Sequence, residues 1–222
     1  MATWHAKPSG IYHHNSQEWC DNLDCIYAEF HAQGYTLESI CGIIGNFEAE
    51  SRMNPWRWQR DRYNLDAGYG LVQFTPARDY INLTGIPNHS PNLNTSMQTA
   101  GATPEDGAAQ CYVIYNDVLN KWQDNIWRDY WSTTTYRNQY AYMQELRQEY
   151  GRYISMATLK TITDLQAATF IFNGGYVGEL ELNIYTRDTF AGWAYEYLSG
   201  HAPPTPVYRR KLPIFFYLRY PF

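Results

Sequence analysis

No stretch of this chain approaches the ~18 consecutive apolar residues that a membrane-spanning helix requires, so no transmembrane helix is predicted. The opening residues, MATWHAKPSG, lack the basic-then-apolar order of a secretory leader, and none is expected. Charge is sparse at 18%, with 17 basic against 22 acidic residues and a net charge of −5. The concentrated basic footprint that phosphate binding needs is missing, which argues against nucleic acid as the main partner. Cysteine is scarce for this length: Cys20, Cys25, Cys41 and Cys111. An even count permits two disulfides through three connectivities, yet in a chain this long the thiols read as small buried hydrophobes. His13 or His14 with Cys20 and Cys25 is the conceivable zinc set, but no paired C-x-x-C spacing supports it. No metal or cofactor is expected. Internal repeats and low-complexity runs are also lacking.

What is present is apolar material: 45% of 222 residues, too much for a disordered chain and enough for one sizeable domain or two small ones. Aromatic residues stand out, with 21 Tyr, 8 Trp and 9 Phe. They fit either a well-packed core or a groove of rings with polar handles, suited to flat, hydroxylated ligands such as sugars. Composition leaves both readings open.

Residues 1–15 read as a loosely structured arm, 16–200 as the folded domain and 201–222 as a tail. Ser16 is an N-cap for a helix through Trp19, Leu23, Ile26, Tyr27 and Phe30, ended by Gly34. Thr36 caps a second helix carrying Ile40, Ile43, Ile44 and Phe47, closed by Asn54-Pro55. Residues 57–76 suit loops or a small β-hairpin, and 82–104 a surface excursion. Helices follow at about 105–121, 136–155, 161–172 and 184–198, with an insertion or short helix at 127–131. The tail opens with a proline-rich segment and continues with Arg209, Arg210, Lys211 and Arg219 among aromatics. The fold class is α+β, mainly α, with a substrate cleft between the hairpin lobe and the helices from 105 onward.

The stretch that carries chemistry runs from Gly45 to Pro55 and resumes at Gly68-Tyr-Gly-Leu-Val-Gln-Phe-Thr-Pro76. An apolar helix ends in a carboxylate, and a glycine-flanked turn returns with Gln and Thr. A carboxylate in a helix's last turn meets the negative end of the dipole, and apolar neighbours add desolvation of the same sign. Both keep a proton in place for a general acid. Periodicity does not choose between Glu48 and Glu50; nearness to the helix end and the glycine turn favours Glu50. Trp56, Trp58 and Tyr69 are candidates for sugar stacking or for a small hydrophobic cluster over the turn. Arg52 and Arg57 are candidates for contact with substrate carboxylates or for plain surface solvation.

Glu50-Ser51 with Asn54-Pro55, then Gly70-Leu-Val-Gln73, resembles the lysozyme-like superfamily of soluble lytic transglycosylases and goose-type lysozymes. The longer pattern, from Gly45-Asn46 through Gly68–Pro76, resembles the phage tail lysozyme family more specifically. Asp164–Tyr176 is similar to that family's late groove-closing helix, and the resemblance covers about residues 16–197.

The resemblance implies a lysozyme-like fold and an enzyme that cuts the β-1,4 link between N-acetylmuramic acid and N-acetylglucosamine in peptidoglycan. It puts Glu50 on the catalytic acid, Gln73 on a groove glutamine, and Asn173, with Tyr176 beside it, on a late sugar-contacting element. For the second group, Asp61 and Asp66 are the candidate carboxylates and Thr75 a water-positioning partner. Separations of about 6.5–9.5 Å or about 5–5.5 Å would distinguish inverting from retaining chemistry. Lytic transglycosylases need no second carboxylate, since the sugar's own hydroxyl attacks. The resemblance further implies a phage virion, at the tail, with other tail proteins as partners through residues 201–222. Chitinase-like cleavage and a non-catalytic structural or glycan-binding tail protein are the competing readings.

Overall fold

A computed structural model describes residues 2–8, 10–91, 103–124, 137–178 and 184–200. The segments 127–131 and 201–222, on which two of the expectations above fall, lie outside the described residues.

Helix α1, Gln17–Ala32, begins where the Ser16 hydroxyl accepts from the Trp19 amide, and Trp19, Leu23, Ile26, Tyr27 and Phe30 form its buried stripe. That side-chain cap satisfies one of the amides a helix start leaves without a partner. Helix α2, Leu37–Ser51, is capped in the same way by Thr36 accepting from Ser39. Every residue from Ser39 to Glu48 is buried, so α2 is covered on all sides and runs through the middle of the domain.

Two glycines let it do so. A Cβ at Gly42 would stand 2.6 Å from the Thr169 amide nitrogen, and one at Gly45 would stand 2.5 Å from the Arg187 carbonyl oxygen. Helices α7, Leu165–Phe172, and α8, Ile184–Ser199, therefore approach α2 backbone to side. Asn46 ties the three together: its Nδ2 donates to Gly42 O and Thr169 O, and its Oδ1 accepts from Arg187.

The remaining helices are α3 (Ala77–Ile81), α4 (Asp106–Tyr115), α5 (Arg137–Tyr150) and α6 (Met156–Leu159). A π-helical turn, Asn173–Val177, continues α7. The mainly helical, lysozyme-like expectation holds, but the β-hairpin lobe does not. Among the described residues, 57–76 forms only two single bridges, Trp58 with Tyr69 and Tyr69 with Phe74. The reason is local: Arg60, Asp61, Gly70 and Gln73 all have positive φ, which an extended ladder cannot accommodate.

The first residues are docked rather than loose. Asn22 exchanges hydrogen bonds with the His5 backbone, Asn54 holds the Lys7 backbone, and Trp4 is buried against Gly107. All four thiols are free, with Cys41 and Cys111 buried in the core.

Candidate active site

Helix α2 ends one turn before Pro55, at Ser51, because Arg52 and Met53 are both left-handed, with φ of 53° and 62°. The reversal throws the chain back over the helix end, and Asn54 secures it: Nδ2 donates to Lys7 O and Gly10 O, while Oδ1 accepts from Trp56 N. The two glutamates of this last stretch have different surroundings. Glu48 is 2% exposed, accepts from the Trp19 indole at 3.0 Å and pairs with Arg52 at 3.3 Å. Burial pushes its carboxyl pKa up, with Trp19 and Arg52 pulling it back. Glu50 faces a groove, and the Nη2 of Arg187, a side chain 2% exposed, lies 2.6 Å from its Oε1.

The returning turn is built on a buried polar hub. Gln110 Oε1 accepts from Leu71 N at 2.7 Å, and its Nε2 donates to Pro55 O and Asp106 Oδ2. Asp106, 1% exposed, also accepts from the Tyr69 and Tyr80 hydroxyls and from Ser90 N. Burial raises the Asp106 pKa, while its bonds from Gln110, Ser90 and Tyr80 oppose the rise. Gly70 is required twice, by its φ of 81° and because a Cβ would fall 2.4 Å from Gln110 Oε1. Gln73 Nε2 donates to Gly70 O and Arg57 O, so this side chain braces its own turn.

Between the end of α2 and this turn lies a cavity of about 270 Å³ lined by Glu50, Arg57, Gln59, Arg60, Gln73 and Thr75, with Val72 and Val177. A second cavity of about 330 Å³ shares Val72, Gln73, Thr75 and Val177 and extends the groove to Lys121, Gln123 and Tyr176. Of the residues singled out from sequence, Glu50, Arg57, Gln73 and Thr75 thus line one cavity, and Tyr176 lines its extension. Asn173, 3% exposed, starts the π turn and accepts from Gly178 N through its carbonyl, without lining either cavity.

Other candidates named from the sequence do not line the groove. Trp58 and Tyr69 are fully buried and Trp56 is 5% exposed, so they offer no open face for a sugar. Trp58 packs on Tyr63 and Tyr69, and Tyr80 packs on Tyr69 and Phe74, closing a cluster beneath the turn. Asp61 is held by Arg57 at 3.0 Å and accepts from Gly10 N; Asp66 pairs with Arg78. Neither aspartate lines the groove. Thr75 Oγ1 donates to the Gln73 carbonyl at 2.8 Å.

Arg187, Asp106 and Gln110 were missed from sequence, though each left a trace. Arg187 sits in register with Phe190, Ala191 and Ala194, the buried stripe of α8, where a cation needs a buried partner. Asp106 and Gln110 are four apart on α4 and flank two alanines, which marks a polar pair on a buried face. Among the described residues no cluster of three or more metal-ligating side chains occurs.

A lysozyme-like helical domain whose described groove lining holds a carboxylate beside a glycine-braced turn defines the class. A family profile for phage tail lysozymes matches residues 21–198, and the chain belongs to the phage tail lysozyme family. Morphogenesis protein 1 of Bacillus phage B103 is similar, at 49% identity over 51 residues. That match covers 22% of this chain and 14% of the relative, so the shared segment is a small part of the latter.

Proposed function

We propose that this chain is a muramidase of a phage particle, cutting the β-1,4 bond between N-acetylmuramic acid and N-acetylglucosamine with Glu50 as general acid. The observation that carries the reading is the joint lining of one cavity by Glu50, Gln73 and Thr75, at the end of an otherwise buried helix. In its protonated form the Glu50 carboxyl can give its proton to the leaving bridge oxygen and is left as the carboxylate paired with Arg187, Gln73 can hold an acetamido or hydroxyl group beside it, and Thr75 can orient the attacking oxygen. Family membership and a relative named as a morphogenesis protein support placement on the virion, at the tail. Residues 201–222 are the proposed contact to other tail proteins.

One observation favours a second reading, lytic transglycosylation. Asp61 and Asp66 are engaged by Arg57 and Arg78 and line neither cavity, so among the described lining residues Glu50 supplies the carboxylate. A mechanism in which the muramyl hydroxyl attacks needs only that one group. Digestion of purified peptidoglycan, followed by mass spectrometry of the released ends, decides. Hydrolysis gives reducing ends; transglycosylation gives 1,6-anhydro ends lighter by one water. Equal turnover of chitin and peptidoglycan would argue for a chitinase-like specificity instead.

A further inference from the structure

We infer that Arg60 is a carboxylate-reading contact in the groove, selecting anionic, muramic-acid-containing glycans over neutral N-acetylglucosamine chains. The inference rests on the glycosidase reading and names what sets its substrate preference. It begins with a charge inversion. The chain as a whole carries −5, yet the described residues lining the two joined cavities include Arg57, Arg60 and Lys121 against the single carboxylate of Glu50. That carboxylate is itself held by Arg187.

Two of the three cations are committed within the protein. Arg57 grips Asp61 at 3.0 Å and donates to Gly10 O at 3.2 Å. Lys121 donates to Thr75 O at 2.9 Å and stands 3.8 Å from Asp79. Arg60 is exposed in the groove wall, and its guanidinium has no ion pair or hydrogen bond among the described residues.

The backbone beneath it is unusual. Arg60 lies in the 3-10 turn Gln59–Asp61 with φ 57° and ψ 25°, followed by Asp61 at φ 53°. Two consecutive left-handed residues without glycine are costly, and such conformations persist only when the surroundings enforce them. Here they are enforced: Gln59 N donates to Gly68 O, Asp61 N to Trp58 O, and Arg57 clamps Asp61. The turn joins Arg60 to the same glycine motif that carries Gln73, so the backbone that bears this side chain is fixed beside Glu50's cavity.

A guanidinium fork matches a carboxylate with two parallel hydrogen bonds. Peptidoglycan offers carboxylates on its lactyl ether, when that is unsubstituted, or on its stem peptide; chitin offers none. Both sources present the same chemistry, and matched ligands separate them.

The test is an NMR titration of the full chain with three ligands too short to be cleaved productively: chitobiose, N-acetylglucosaminyl-N-acetylmuramic acid, and that disaccharide bearing a stem dipeptide. The readout is the affinity ratio of anionic to neutral ligand. Arg60→Asn tolerates the left-handed backbone and removes the charge, and should lower the ratio about fivefold to tenfold. Arg60→Lys, which keeps the charge, should retain more of the ratio than the Asn variant. Whichever anionic ligand suffers more identifies the carboxylate that is read. A wild-type ratio near one, or an unchanged ratio in Arg60→Asn, overturns the inference. Failure of the wild type to release glycan ends from peptidoglycan is a separate result that defeats the glycosidase reading, because the ratio is measured without turnover.

Discussion

Arg187 on α8 reaches across to Glu50 on α2, placing a guanidinium nitrogen 2.6 Å from the groove carboxylate while its neighbouring Nη1 bonds the Asn46 side chain at 3.1 Å. One buried cation thus couples the candidate acid to the packing of α8 on α2. The relationship turns a question of catalysis into one of packing as well.

Replacing Arg187 with Met removes the cation and leaves Asn46 and Glu50 without it. Breaking a buried pair by deleting one partner costs about 3 kcal/mol, reduced here by the partial exposure of Glu50. Denaturant unfolding of Arg187→Met should show a loss of about 2 kcal/mol, and glycan cleavage should fall by more than the unfolded fraction accounts for. Full activity in a folded Arg187→Met would remove this residue from the account.

Gly45→Ala tests the same coupling from the other side. The new methyl would meet the Arg187 carbonyl at 2.5 Å, a backbone atom that cannot swing away. Overpacking of this kind costs about 1–3 kcal/mol, and α8 must shift to relieve it. The expected result is a lower Tm together with weakened cleavage; a Tm equal to that of the parent would show that α8 has slack.

The Asp106–Gln110 hub should matter for the glycine turn. Gln110→Ala leaves Leu71 N and Pro55 O without their partner and opens a void, costing about 2–3 kcal/mol. Hydrogen exchange should accelerate at Leu71 before it does so in the core of α2. Uniform acceleration across both would mean that the hub supports the whole domain and not the turn.

A pH effect is expected from Asp188. Burial pushes its pKa up to about 6, and its Oδ1 has no hydrogen-bond partner among the described residues. The native state therefore binds this proton more tightly than the unfolded chain does, where a pKa of about 3.9 applies. Stabilisation from this group is present at low pH and fades as pH rises from about 4 through about 6. Asp188→Asn should flatten that part of the Tm–pH curve; an unaltered curve would contradict the assignment.

Much of the fold was legible in the sequence because local signals agreed with the global arrangement. Ser16 and Thr36 cap where their residue types and the following apolar spacing say they should. The motif at 45–76 located the groove for a similar reason: its glycines answer to close approach and to positive φ, which few other residues tolerate. The hairpin lobe failed because Arg60, Asp61 and Gln73 take left-handed conformations that no propensity forecasts. The rings of Trp58 and Tyr69 went to the core because sequence position near the glycine turn says nothing of which way a side chain turns. Arg187 lay beyond reach for another reason. Its partner is 137 positions away, and only the packing of α8 on α2 brings the two together.

The most direct measurement compares Glu50→Gln with Glu48→Gln in release of glycan ends from purified peptidoglycan. Glu50 lines the groove, whereas Glu48 is 2% exposed beneath it and bound to Trp19. Loss of a general acid lowers turnover by about 10²–10⁴-fold, and Glu50→Gln should fall in that range while folded. Glu48→Gln should cleave at a rate within about tenfold of the parent, since its carboxyl is outside the reach of substrate. Retained cleavage in a folded Glu50→Gln protein would contradict the account at its centre.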